Sequence, residues 1–201
     1  MTSSFIFSSA ASLISSLKLQ HMKRTGWVIK NIRDPETVAG HMYRMAMLAF
    51  LVDPADNLDK IKIMQMALIH DLAECIVGDI TPHCGVSPEE KHKREDEAMI
   101  TICGLLGETG DSLLQMFREY ERRESAEAQY VKDLDTLDLI MQAYEYERRD
   151  NIPGELNEFF LATNGTIRHP FIKRFLIIRI QLVILPTPPP PPPPPRALCK
   201  K

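Results

Sequence analysis

The stretch Ala67-Leu68-Ile69-His70-Asp71-Leu72-Ala73-Glu74-Cys75-Ile76-Val77-Gly78-Asp79-Ile80 decides how the chain reads. It closes an apolar helical segment, residues 57–76, and carries a histidine and an aspartate side by side. Polar groups in a buried stretch cost free energy unless they are paired or ligated. Glu74 follows His70 by four positions and Asp71 by three, so helical geometry sets it beside both. Asp79 follows Gly78, where the helix should end. Alone, His70 reads as a satisfied core histidine and Asp71 as a salt-bridge partner. Together they form one imidazole and three carboxylates within ten residues. The carboxylates repel each other, and a divalent cation relieves that repulsion.

Working towards the N-terminus, Asp34-Pro35-Glu36 predicts a capped helix start. That helix runs to about residue 52, with Val38, Met42, Met45, Ala46 and Ala49 at core spacing and His41 on the same side. Residues 21–33 read as a polar segment and residues 5–19 as a weak amphipathic helix. The 57–76 helix has Ile61, Met64, Leu68, Leu72 and Cys75 as its expected buried stripe. Beyond a loop through Thr81, Pro82 and Gly85, Ser87-Pro88-Glu89-Glu90 predicts a capped helix to about residue 106. Asp111 is the expected cap of a helix at 112–123. Residues 125–149 predict a long helix with Val131, Leu134, Leu137, Ile140 and Met141 inside, and Asp135 on it. Pro153-Gly154 breaks the chain before a short helix at 156–162. The fold class is therefore all-α: a helical bundle with a metal site at its centre. His41, His70, Asp71 and Asp135 would give two nitrogens and two carboxylates from three helices, a mixed set that suits Mn, Fe, Co, Ni or Zn.

Composition bounds the rest. A chain of 201 residues suits one domain with tails. The formal net charge is −3, but six cations and no acids follow Pro170, so residues 1–170 carry −9. An acidic body does not suit a nucleic-acid polymer as partner. It also means that an anionic ligand needs a cation or an arginine to offset the field. Four cysteines without CxxC spacing form no disulfide framework, which predicts a reducing, intracellular, cytoplasmic setting. No stretch has the apolar length of a membrane span, and residues 171–185 are short and carry three cations, so no membrane is expected. Nine of the fifteen prolines fall between Pro186 and Pro195. The domain reading is residues 1–16 as an N-terminal segment, 17–170 as the working domain, and 171–201 as a divergent basic, apolar and polyproline tail. A polyproline-reading partner for that tail is the lesser reading. His92 sits in a charged run and reads as solvated, and Cys75 reads as packing.

Several segments carry a resemblance: Arg24-Thr25-Gly26-Trp27, His41-Met42-Tyr43-Arg44-Met45, the stretch from His70 to Ile80, and Glu90-Lys91-His92-Lys93-Arg94-Glu95. The chain resembles the HD superfamily of metal-dependent phosphohydrolases, and within it the 5′-deoxynucleotidases, over about residues 17–170. The resemblance implies that His41, His70, Asp71 and Asp135 hold a divalent cation, with Mn, Co or Mg as candidates. It implies Glu74 as the catalytic carboxylate, and Glu74, Asp79 and the Ile80 carbonyl as holders of a second cation. It implies Arg24 on the substrate phosphate, Trp27 at the sugar pocket, Asp71 against the substrate, and Asp79 as an alternative partner of a sugar hydroxyl. The implied substrate is a deoxynucleoside 5′-monophosphate and the implied assembly a homodimer. The chain departs from the family at Gly40, where relatives carry an acid able to orient the first histidine, and beyond residue 170. Those departures motivate the alternatives: a non-catalytic nucleotide-binding or scaffold protein, or a phosphohydrolase of another nucleotide.

Overall fold

The computed structural model describes residues 17–183, with side chains from 18 to 176. Ten α-helices and three 3₁₀ turns make up the described residues, with one isolated bridge between Lys23 and Thr37 and no strand. In chain order the helices are α1 (Leu17–His21), α2 (Thr25–Ile29), α3 (Val38–Leu48), α4 (Lys60–Ile69), α5 (Glu74–Val77), α6 (Pro88–Gly104), α7 (Glu108–Arg122), α8 (Ala126–Asp150), α9 (Asn157–Ala162) and α10 (Pro170–Val183). The all-α expectation holds. The helix expected at 5–19 falls outside the described residues except for its last three, which belong to α1.

Helices α3, α4 and α8 pack on one another at the centre. Their shared core holds Met45, Ile63, Met66, Val131, Leu134 and Leu137. A second cluster joins α1, α3, α6 and α7 through Leu19, Val38, Met42, Met99 and Phe117. A third gathers Trp27, Ile32, Ala143, Tyr146 and Leu156. Each central helix thus has apolar partners that fix its rotation, and with it the direction of the polar side chains at the centre.

Local chemistry explains where elements begin, and where it departs from expectation. Ser87 and Ser125 accept bonds from the Glu90 and Ala128 amides and start α6 and α8, as expected. Asp34 does not cap α3. It sits exposed at φ 46° and pairs with Lys23 at 2.9 Å, while Thr37 accepts the Gly40 amide and starts the helix at Val38. The segment 21–33, read as merely polar, contains α2. Asp111 does not cap α7 either. Gly107 turns the chain at φ 59° and the helix begins at Glu108, leaving Asp111 within the first turn.

The 57–76 helix is the main correction. Asn57 adopts a left-handed turn, Asp59 caps the Ile61 and Lys62 amides, and α4 stops at Ile69. His70 to Ala73 form a turn before the single-turn helix α5. The buried stripe also differs: Ile63, Met66, Ala67 and Ile69 are inside, whereas Ile61 and Leu68 are exposed. Apolar residues stand on more than one side of the segment, so its periodicity does not select a face. Contact with both α3 and α8 does. Beyond Pro170 the chain continues as α10. Ile172 is buried, and Phe171, Phe175 and Leu176 pack against the central core. Asp133 on α8 accepts the amides of Arg168 and His169 at 2.7 and 2.6 Å and fixes the entry of that helix.

Candidate metal centre

The break after Ile69 turns His70 and Asp71 towards the side chains of α3 and α8. His41, on α3, is fully buried, and its ring lies 5.3 Å from that of His70. His41 Nε2 is 3.4 Å from Asp135 Oδ1 and 3.6 Å from Asp71 Oδ2, and His70 Nε2 is 3.2 Å from Asp71 Oδ2. These contacts are too long or misaligned to satisfy the nitrogens, and both Nε2 atoms are buried without a hydrogen-bond partner.

The opposite edge of each ring is occupied. His41 Nδ1 lies 2.7 Å from Asp138 Oδ2, and His70 Nδ1 lies 2.8 Å from the Ala67 carbonyl. Each Nδ1–H therefore donates outward, which leaves both Nε2 atoms facing the carboxylates. This is the arrangement by which outer partners fix a ligating histidine. Asp135 turns its second oxygen to Lys132 Nζ at 2.8 Å. Two inward nitrogens without partners, crowded by carboxylates, fit a first-row divalent cation better than any pairing among themselves.

The electrostatics carry the strain of that crowding. Burial and the Arg24 charge push the His41 imidazole down, yet the neighbouring carboxylates of Asp135 and Asp138 outweigh them and raise it to about 9. Burial pushes Asp135 up, but Lys132 and His41 hold it well below the usual carboxylate range. Glu74 moves the other way. Burial, then Asp71 and Asp79, drive its carboxyl well above the ordinary value, and its Oε2 is buried without a partner.

These groups face a cavity of about 750 Å³. Arg24, His70, Asp71, Glu74, Asp79, Ile80 and Asp135 line it, and His41 stands behind them. Arg24 precedes the first turn of α2, and its NH1 is buried without a partner. Asp79 Oδ2 accepts the Thr25 amide at 2.6 Å, which ties the exit of α5 to the helix beside Arg24.

Trp27 is not brought to the cavity. Its ring lies against Tyr146 and Phe159, and Nε1 donates to Glu36 Oε1 at 3.0 Å. Glu36 accepts Arg44 at 2.6 Å, Arg44 grips both oxygens of Asp138, and Asp138 holds His41. Trp27 therefore reaches the centre through Glu36, Arg44 and Asp138, three residues that the sequence reading did not single out. Lys91 and Lys132 were also missed as cavity cations. Asp138 lies three residues after Asp135, and Arg44 three after His41. Helical spacing was the available signal. Asp138 supplies the orienting carboxylate expected at position 40, where Gly40 instead keeps close quarters with the Thr37 hydroxyl.

A family model for the HD domain matches residues 17–173. The chain belongs to the HD domain family. Curated proteins named 5′-deoxynucleotidase HDDC2 resemble this HD domain closely. The Danio rerio protein is 48% identical over 154 residues, 76% of each chain. The Homo sapiens protein is 46% identical over 168 residues, 81% of this chain and 82% of its own. A conserved hypothetical protein from Pyrococcus furiosus shares the fold with a TM-score of 0.70 at 29% identity, covering 86% of this chain and 99% of that one. In this HD domain the His-Asp doublet that names the family is His70-Asp71, at the point where α4 breaks.

Proposed function

We propose that this HD domain is a metal-dependent 5′-nucleotidase that cleaves deoxynucleoside 5′-monophosphates into deoxynucleoside and phosphate. The observation that carries the reading is the pair of inward, unpartnered Nε2 atoms of His41 and His70 beside Asp71 and Asp135, on a cavity that Arg24 also lines. The names of the curated relatives supply the substrate class.

His41, His70, Asp71 and Asp135 would hold one divalent cation. Glu74, Asp79 and the Ile80 carbonyl would hold a second. The imidazole content favours Mn or Co over Mg for the first. When bound, the cation supplies Lewis-acid charge to the phosphoryl oxygens and acidifies water. Arg24 has a free guanidinium NH1 for the substrate phosphate and offsets its charge within an acidic body. Lys91 and Lys132 add positive charge along the same cavity. Glu74, buried on the cavity wall with its Oε2 unpartnered, is placed to relay a proton to the leaving 5′-oxygen or to help activate water. Asp71 lines the cavity beside both histidines and would meet both cation and substrate. Asp79 gives one oxygen to Thr25 and keeps the other for a cation or a sugar hydroxyl. The non-catalytic alternative drew on Gly40, and Asp138 now provides the carboxylate that position lacks. Homodimer assembly is supported by Tyr43 and Met47 on α3 and Phe50 in the 3₁₀ turn after it, all three exposed.

The test uses metal-stripped protein reloaded with Mn²⁺ or Co²⁺ and a panel of nucleoside monophosphates. Phosphate release from the deoxy substrates is expected, with none from the stripped protein and none from Asp71→Ala. Reloaded, folded protein that releases no phosphate from any monophosphate overturns the proposal.

A further inference from the structure

A second group of metal-ligating side chains lies on the wall of the same cavity, away from the His41 centre. His92 and Glu95 are three residues apart on α6, which places them on one face. Glu121 comes from α7, which packs alongside. One ligand atom from each residue lies within 4.8 Å of the other two, and His92 Nδ1 is 2.5 Å from Glu121 Oε2. All three residues line the cavity.

Ordinary pairing accounts for part of this group. His92 meets Glu121, and Lys91 meets Glu95 four residues on. It does so poorly for Glu95. That residue is only 7% exposed, yet its carboxylate lies 3.4 Å from Lys91 Nζ, beyond a good N–H···O bond. Glu121 adds a second negative charge facing the first, and burial together with that charge raises the Glu95 carboxyl. One imidazole and two carboxylates converge from two helices, with one carboxylate buried and weakly held.

We propose that His92, Glu95 and Glu121 form a further divalent-cation site, of zinc-like preference, bridging α6 and α7 at the cavity wall. Three ligands leave coordination positions open towards the cavity. The imidazole favours zinc over magnesium, which prefers an all-oxygen shell. A cation here takes the Glu95 carboxylate from Lys91, frees the ammonium, and adds two positive charges beside the His41 centre. Because His92 is exposed, the site binds more weakly than that centre.

The experiment counts zinc bound to the full chain. Metal-stripped wild type, His92→Asn and Glu121→Gln are dialysed against graded Zn²⁺, and bound metal is measured by mass spectrometry. At saturation wild type is expected to hold one more zinc per chain than either variant. The same one-equivalent difference is expected when His41→Ala is present in every protein, since that change acts at the other centre. His92 is exposed and Glu121→Gln conserves shape, so both variants should keep the wild-type circular dichroism. Zinc should also raise the melting temperature of the His41→Ala protein through the α6–α7 bridge, and lose that effect when His92→Asn is added. Equal zinc content in wild type and both folded variants overturns the proposal. So does an equal increment with Mg²⁺ in place of Zn²⁺, which removes the imidazole from the shell. Neither readout depends on turnover, so failure here is distinct from failure of the nucleotidase reading.

Discussion

Asp138 holds two partners at once, the Nδ1–H of His41 and the guanidinium of Arg44, and it does so fully buried. Asp138→Asn keeps the volume and removes the charge. Loss of an outer partner of this kind lowers metal affinity by about 10- to 100-fold, and calorimetric titration of stripped protein with Mn²⁺ should show it. Burial raises the Asp138 carboxyl, but its bonds to His41 and Arg44 outweigh that and leave it below the unfolded value. Its contribution to stability is therefore present above the unfolded carboxylate range and is lost as pH falls through the lower folded value. The melting-temperature gap between wild type and Asp138→Asn should narrow between pH 5 and pH 3. The ligand candidates were legible because His70, Asp71, Glu74 and Asp79 crowd ten residues. Asp138 was not, because its partner His41 lies 97 positions away and only the packing of α3 on α8 joins them. Trp27 was misplaced for a related reason. Proximity to Arg24 in sequence says nothing about which way an indole faces on a five-residue helix.

Helix starts divide by the same logic. Ser87 and Ser125 were readable because each stands at the edge of a long helix with no competing cap nearby. Asp34 and Asp111 misled because a better-placed turn, at Thr37 and Gly107, takes over. The end of α4 was unreadable. The sequence stays helix-compatible through the doublet, yet the helix stops at Ile69 and a turn follows. The approach of α6 to α7 depends on one residue. A Cβ at Gly110 would stand 2.0 Å from the Cys103 carbonyl oxygen and 2.7 Å from its carbon, both backbone atoms. The two helices would have to part to admit it. Gly110→Ala is expected to destabilise the protein by about 3 kcal/mol or more, read as a lower urea midpoint. It should also weaken whatever Glu121 and His92 hold together, since each sits on one of these helices.

At the scale of the molecule, the net charge of −3 conceals an acidic body and a basic end. A phosphate can enter that body only where Arg24, Lys91, Lys132 and a bound cation offset the field. The body does not stop where the sequence changes character. A segment with no acids and many apolar residues read as foreign to the domain, yet α10 sets Ile172 into the core beside Ile167. Ile172→Ala should cost about 2–5 kcal/mol and lower the melting temperature. Deletion of residues 186–201 should leave both that temperature and phosphate release unchanged. A large loss in the truncated protein would show that the proline-rich end serves the working enzyme.

The chain contains a single tryptophan. Trp27 is buried, and Glu36, Arg44 and Asp138 connect its indole N–H to the His41 ring. Every photon of tryptophan emission therefore originates at one known position, with a hydrogen-bonded path to the candidate metal centre. Loading the stripped protein with a cation changes the charge at the far end of that path, and the emission maximum or intensity should shift in step with occupancy. The same titration on Asp138→Asn should lose the optical response even at concentrations where metal still binds. The fold thus supplies its own fluorescent gauge of the centre, with no label attached.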